Sequence, residues 1–324
     1  MSEQHSGRRA TAHPITRLAL ATVAVCALVA LTACSSSKST STATTVAGSA
    51  TTVAGGSASA GAIANCNAAA KIPADIKSSG TMNAATDASY APMEFIGTNG
   101  TTIEGADIDL GNAIAKQLGL TWKWQNVNFS SIISGIGTRY DVSMSSFSVK
   151  PERVKQVCMV TYLTAGTSFT VETGKNQDLT TLAALCGKSV AVETGTTQQT
   201  DAEAQSTKCK SSGKAAVKVL GFPDQNGANL ALTSGRADVG MSDSPVAAYA
   251  AKQSAGKLEV IGDSYGNAPY GIVLPNTTAY AGLSSSVLGA LKAIKANGTY
   301  QQILQKWGLQ AGAITNFAIK PASS

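Results

Sequence analysis

From Lys71 onward, short strand-like runs alternate with helical ones, and few folds accept that order. Thr81–Thr86 reads as a strand that ends in Asp87-Ala88-Ser89-Tyr90. Asp107–Leu118 reads as a helix with Leu110, Ile114 and Leu118 on one face and Gly119 as its stop. Leu120–Trp124, Tyr140–Ser145, Ser189–Val192, Ala237–Met241 and Tyr270–Leu274 read as strands. Ser130–Ile136, Asn229–Thr233, Leu283–Asn297 and Tyr300–Trp307 read as helices. This alternation predicts an α/β protein with mostly parallel sheets. Ligands in such sheets bind beyond the carboxyl ends of strands, where the polar clusters 87–90, 145–148, 194–198 and 242–243 fall.

The N-terminus reads as an export signal. Arg8, Arg9 and Arg17 precede an apolar run from Leu18 to Leu31. A run of about 14 residues is short of the ~20 that a spanning helix needs. It closes on Leu31-Thr32-Ala33-Cys34, which resembles a bacterial lipobox, so Cys34 is the expected lipidated cysteine after removal of residues 1–33. Residues 34–65 are mostly Ser, Thr, Ala, Gly and Val. So little apolar bulk predicts a disordered tether.

Composition excludes several functions. The only two histidines, His5 and His13, lie in the leader. The exported chain then has no imidazole for a Ser–His or Cys–His pair, a general base or a metal ligand. No cofactor is expected. The net charge of +6 is spread along the chain, so no nucleic-acid surface is expected. Cys66, Cys158, Cys186 and Cys209 remain once Cys26 and Cys34 are set aside. An even number in an exported chain implies two disulfides, with three connectivities open. Cys186–Cys209 with Cys66–Cys158 is the favoured set. No CxxC pair supports a zinc site.

Four stretches carry a resemblance. They are Ala85-Thr86-Asp87-Ala88-Ser89-Tyr90-Ala91-Pro92-Met93-Glu94-Phe95, Ile103-Glu104-Gly105-Ala106-Asp107-Ile108-Asp109-Leu110, Ser145-Ser146-Phe147-Ser148-Val149-Lys150-Pro151-Glu152-Arg153, and Gly235-Arg236-Ala237-Asp238 followed by Ser242-Asp243. In that order and spacing, residues 80–308 resemble the polar-amino-acid family of extracytoplasmic solute-binding proteins of ABC importers. The resemblance implies a two-lobed, periplasmic-binding-protein-like (type II) clamshell. Lobe one would be 66–168 plus 271–318 and lobe two 171–268, with hinges near Thr167–Val171 and Asn267–Ile272. Two departures stand out: Lys150 replaces the usual Thr or Ser before Pro-Glu-Arg, and Val160-Thr161 replace Phe-Ser before Tyr162.

The chemistry of these residues fits a free amino acid, a zwitterion that needs one fixed cation and one fixed anion. Arg153 is the expected carboxylate clamp, with backbone N–H groups of Ser148 and Thr197 completing it. Asp243, helped by Ser146, is the expected partner of the α-ammonium. The resemblance places Asp87, Tyr90, Phe129, Ser145 and Glu193 around the ligand side chain; Phe129 could equally be core. Asp107 could reach the ligand or order the cleft. Carboxylates at Asp87 and Glu193 favour Arg, Lys or another polar side chain.

The expected protein is therefore a monomeric binding protein rather than an enzyme. It would stand outside the cell membrane on a lipid at Cys34 and pass its amino acid to an ABC permease. The alternatives are an enzyme on the same fold, such as a cyclohexadienyl dehydratase using Glu193 as acid or base, and a subunit that presents ligand to a sensor.

Overall fold

A computed structural model describes residues 60–321. The leader, Cys34 and most of the tether lie outside the described residues. The strands are β1 (Thr81–Thr86), β2 (Ser89–Tyr90), β3 (Glu94–Ile96), β4 (Ile103–Glu104), β5 (Thr121–Asn126), β6 (Val142–Ser143), β7 (Cys158–Glu172), β8 (Ser189–Glu193), β9 (Lys218–Phe222), β10 (Val239–Asp243), β11 (Leu258–Leu274) and β12 (Ile319–Lys320). The helices are α1 (Ala60–Cys66), α2 (Ala74–Ser79), α3 (Ala106–Gln117), α4 (Phe129–Gly135), α5 (Pro151–Val154), α6 (Thr197–Ser211), α7 (Gln225–Thr233), α8 (Ser244–Gln253), α9 (Leu283–Ala296) and α10 (Thr299–Trp307).

Eight strands run in the order β5-β1-β6-β11-β7-β10-β8-β9, and β12 pairs with β7. The expectation of mostly parallel sheets holds only at the two ends. β1 is parallel to β5 and β6, and β8 is parallel to β9 and β10. In the middle, β7 and β11 lie antiparallel to each other and to β10 and β6. These two long strands tie the parallel halves into one sheet. Three irregularities interrupt their ladder, between Ile261 and Tyr265, Tyr265 and Ala268, and Tyr270 and Gly271.

Each half has its own core. Met82, Trp122, Met144, Leu110, Ile114, Val287, Leu291 and Tyr300 pack in the first. Gly111 lets α3 lie on β5, because a Cβ there would come within 2.6 Å of the Trp124 ring. The second core holds Val190, Val192, Ala202, Val239 and Met241. β7 gives Leu163 and Ala165 to the first core and Phe169 and Val171 to the second. β11 gives Ile261 to the second and Tyr270 and Ile272 to the first.

Both favoured disulfides are present. Cys66–Cys158 joins α1 to the start of β7, and Cys186–Cys209 joins the approach to β8 with the end of α6. The first of these corrects one expectation. Residues 60–65 are helix rather than the end of a disordered tether, because α1 is cross-linked at Cys66 and Asn65 donates from its amide to the Asn276 carbonyl at 2.9 Å. A second adjustment is at the C-terminus. β12 extends the first half beyond residue 318, pairing Ile319 with Val160 and Lys320 with Met159.

Some boundaries also move. The strand expected over Tyr140–Ser145 is only Val142–Ser143, and the one expected over Ala237–Met241 is shifted to Val239–Asp243. The helix expected over Asn229–Thr233 begins at Gln225, because Asp224 caps it by accepting from the Gly227 N–H at 2.7 Å. Lys150 contributes no side-chain cap to α5, which instead starts with Pro151 at its first turn. Thr161 replaces the usual Ser without harm, since its Oγ1 accepts from the Ala318 N–H at 2.8 Å. Among the described residues no helix is long and apolar enough to cross a membrane.

Candidate functional site

The carboxyl ends of β1, β6, β8 and β10 face one narrow pocket. Its walls include all ten residues expected from sequence: Asp87, Tyr90, Phe129, Ser145, Ser146, Ser148, Arg153, Glu193, Thr197 and Asp243. Glu94, Thr196 and Gln198 complete them and were not foreseen. Residues 87–153 come from the half with the first core, and residues 193–243 from the other. The site therefore exists only where the halves meet.

Arg153 is buried at 7% exposure. Its guanidinium donates to the Ser148 carbonyl at 3.0 Å and across the cleft to the Gly195 carbonyl at 3.3 Å. It also lies 5.4 Å from the centre of the Phe129 ring and 5.2 Å from that of Phe147. Those rings stack on each other at 4.4 Å, so Phe129 is both pocket wall and core. Burial lowers the guanidinium pKa, opposed chiefly by Asp243 and Glu152. Arg153 takes part in none of the ion pairs among the described residues, which are Lys175–Glu172 and Lys306–Asp109. A buried guanidinium bonded to carbonyls has the chemistry to bind a carboxylate. Gly195 makes the close approach possible: it has φ +86°, and a Cβ there would sit 2.9 Å from that of Ser130.

Asp243 closes the opposite end. Its Oδ1 accepts from Gln198 Nε2 at 2.7 Å and its Oδ2 from the Tyr270 hydroxyl at 2.6 Å. Its backbone N–H donates to the Tyr90 hydroxyl at 3.0 Å, a bond across the cleft. Burial raises the carboxyl pKa, while these hydrogen bonds and Arg153 oppose the rise. Each oxygen keeps a lone pair for a cation. Thr196 caps α6 by accepting from the Gln199 N–H at 3.2 Å, which places Thr197 at the helix start as expected.

The side-chain end of the pocket is acidic. Asp87 accepts from the Ser89 hydroxyl at 2.7 Å and from the Phe129 N–H at 2.8 Å, so it also anchors the start of α4. Glu193 is 2% exposed, and its Oε1 has no hydrogen-bond partner. Glu94 is fully buried and accepts from the Ser145 hydroxyl at 3.1 Å through Oε1, while its Oε2 has no partner. Burial raises the pKa of all three acids, and Glu193 reaches about 10. Four carboxyl groups and one guanidinium thus line the pocket.

Asp107 resolves to the ordering role. It is fully buried behind the pocket wall, and its Oδ2 accepts from the Ser146 N–H at 2.9 Å and the Tyr162 hydroxyl at 2.7 Å. The bond from Ser146 holds that residue at φ +52°, an unfavourable conformation for a side chain. The Ser146 hydroxyl is 3.5 Å from the same Asp107 oxygen, a weak contact, and Ser146 also lines the pocket.

Residues 82–310 match the bacterial extracellular solute-binding proteins, family 3. The chain belongs to this family. The arginine-binding protein ArgT of Corynebacterium glutamicum is 32% identical over 248 residues, covering 76% of this chain and 80% of that protein. The ABC transporter arginine-binding protein 1 of Escherichia coli is 32% identical over 232 residues, 70% of this chain and 90% of that one. An ancestral arginine-binding protein bound to arginine superposes with a TM-score of 0.64 at 32% identity, covering 70% of this chain and 98% of the other. The family is one of extracytoplasmic binding proteins, and the fold is the two-lobed clamshell.

Within this solute-binding protein, Gln198 and Glu94 had readable signals. The buried positions of α6 are Gln198, Ala202, Gln205 and Cys209, a helical spacing in which glutamines take apolar places. Glu94 stands between Met93 and Phe95, and an acid flanked by two apolar side chains in a short strand is a candidate for burial.

Proposed function

We propose that this protein captures a cationic amino acid, arginine foremost, between its two lobes and delivers it to an ABC permease. The charge balance of the pocket carries this reading. The α-carboxylate would take Arg153, and the α-ammonium would take Asp243 with the Ser146 hydroxyl. Asp87, Glu94 and Glu193 then remain around the side chain with no protein cation besides Arg153 among the pocket walls. Buried acids in that number call for a cationic partner. The three relatives, each described as arginine-binding, support the same choice.

The lobes would be the two halves defined by the cores. The hinges would lie where β7 passes from Ala165 to Phe169 and β11 from Tyr265 to Tyr270, at the irregular part of their ladder. Ligand bridging Arg153 and Asp243 would favour the closed arrangement, which the permease distinguishes from the open one. The body would act as a monomer on a lipid at Cys34; intact-mass measurement of the chain from membranes tests the lipid. The dehydratase alternative is disfavoured by charge, since a cyclohexadienyl diacid would bring a second carboxylate against the acidic end.

A melting-temperature screen against the standard amino acids and ornithine tests the ligand class. A ligand at about 100 times its Kd stabilises by about 2.7 kcal/mol. Arginine, and next lysine or ornithine, are expected to give the largest rises, and glutamate and aspartate none. The largest rise with an acidic amino acid would refute the reading.

A further inference from the structure

Asp87 and Glu193 reach the pocket from opposite lobes, from the ends of β1 and β8. Their carboxyl groups line the same pocket closely enough that each bears on the other's ionisation. Two ionised carboxylates buried in one pocket repel each other, and a proton held between them removes that repulsion. Asp87 has two donors of its own, the Ser89 hydroxyl and the Phe129 N–H, which stabilise its ionised form. Glu193 Oε1 is buried and has no donor. The shared proton therefore belongs on Glu193.

The surroundings keep it there. The acids facing Glu193 are Asp87, Asp224 from the start of α7 and Asp243 from the end of β10, and each disfavours a further negative charge. Tyr90 from β2 and Glu94 from β3 line the same pocket. Its guanidinium, Arg153, is engaged with the Ser148 and Gly195 carbonyls. Burial is the largest cause of the raised Glu193 pKa, about 10, so the group stays protonated at neutral pH in the ligand-free pocket.

We propose that capture of a cationic amino acid is an exchange reaction, in which the ligand's side-chain cation replaces the proton shared by Glu193 and Asp87. The proton leaves to solvent, and a neutral carboxylic acid becomes a carboxylate paired with the incoming cation. This rests on the cationic-ligand reading above and adds to it a linkage and a residue. Glu193 becomes a specificity-determining residue, because a ligand with a neutral side chain gives nothing to offset its ionisation.

Titration calorimetry of the purified protein with arginine at pH 7, in phosphate and in Tris, reads the exchange. The buffers differ in ionisation enthalpy, so a released proton separates the two observed heats. The expected result is release of about one proton from this pair, with affinity rising up to ~10-fold per pH unit between pH 6 and 8. Glu94 and Asp107 form a second buried acid pair and could add to the total, so Glu193→Gln apportions it. That variant is expected to bind arginine with release lowered by about one proton and a flatter pH dependence. Equal heats in both buffers with pH-independent affinity would overturn the exchange. Unaltered release in Glu193→Gln would overturn the assignment to this pair. If arginine does not bind at all, the cationic-ligand reading itself fails, a result separate from binding without proton release.

Discussion

Arg153→Ala is expected to remove most of the binding energy while leaving the lobes folded. Among the described residues the guanidinium bonds two carbonyls and takes part in no ion pair, so its loss breaks no salt bridge there. The ligand, in contrast, loses its carboxylate partner in a buried site. Truncating one member of a buried charged pair costs about 2–5 kcal/mol, roughly 30-fold to several-thousand-fold in Kd. Ligand-induced thermal stabilisation should therefore vanish at concentrations that saturate the parent protein. Arg153→Lys should recover part of it, since an ammonium restores charge but not the planar fork. If Arg153→Ala keeps the parent's ligand-induced shift, the carboxylate-clamp assignment is wrong.

Asp243→Asn is expected to have an effect of similar size at the other end of the ligand. It keeps the shape but removes the anion opposite the α-ammonium. It also places an amide N–H₂ against one of two donors, Gln198 Nε2 and the Tyr270 hydroxyl, which now bond one carboxylate oxygen each. Affinity should fall at least ~30-fold. The ligand-free melting temperature should change little, because the variant also relieves the burial that raises this carboxyl's pKa. A Kd within a few-fold of the parent, measured by titration, would remove Asp243 from the ammonium site.

The sequence revealed the site better than it revealed the sheet. All ten foreseen pocket residues meet because they sit at or just beyond strand ends, as Asp87, Ser145, Glu193 and Asp243 do, or on the loops and short helices that follow, as Phe129, Arg153 and Thr197 do. α3 was legible because its buried face recurs at Leu110 and Ile114, with Gly119 at φ +70° just past its end. β7 was not, since 158–172 is buried on both faces and shows no alternation to read. β11 hides differently: its residues 262–269 are mostly exposed and irregularly paired, so only Tyr270–Leu274 carried an apolar signal. The antiparallel middle of the sheet was lost with them. Lengthening of α7 came from a cap at Asp224, and the helix at Ala60–Cys66 came from a cross-link. Neither leaves an apolar period in the sequence.

Glu94 and Glu193 show why the acidic end was half legible. Glu193 ends a buried strand and was named from the family resemblance, but its unpartnered oxygen and its place on the same pocket as Asp87 depend on how the two halves meet. Glu94 belongs to a small separate sheet of β2, β3 and β4, and only the fold brings that sheet to the mouth of β1.

One calorimetric titration bears most directly on the claim that the pocket holds a cationic amino acid between Arg153 and the acidic wall. At pH 7 the protein should bind arginine with one-to-one stoichiometry and at least ~100-fold more tightly than glutamate, a difference of about 2.7 kcal/mol. Saturable binding of glutamate with an affinity equal to or better than that for arginine would contradict it.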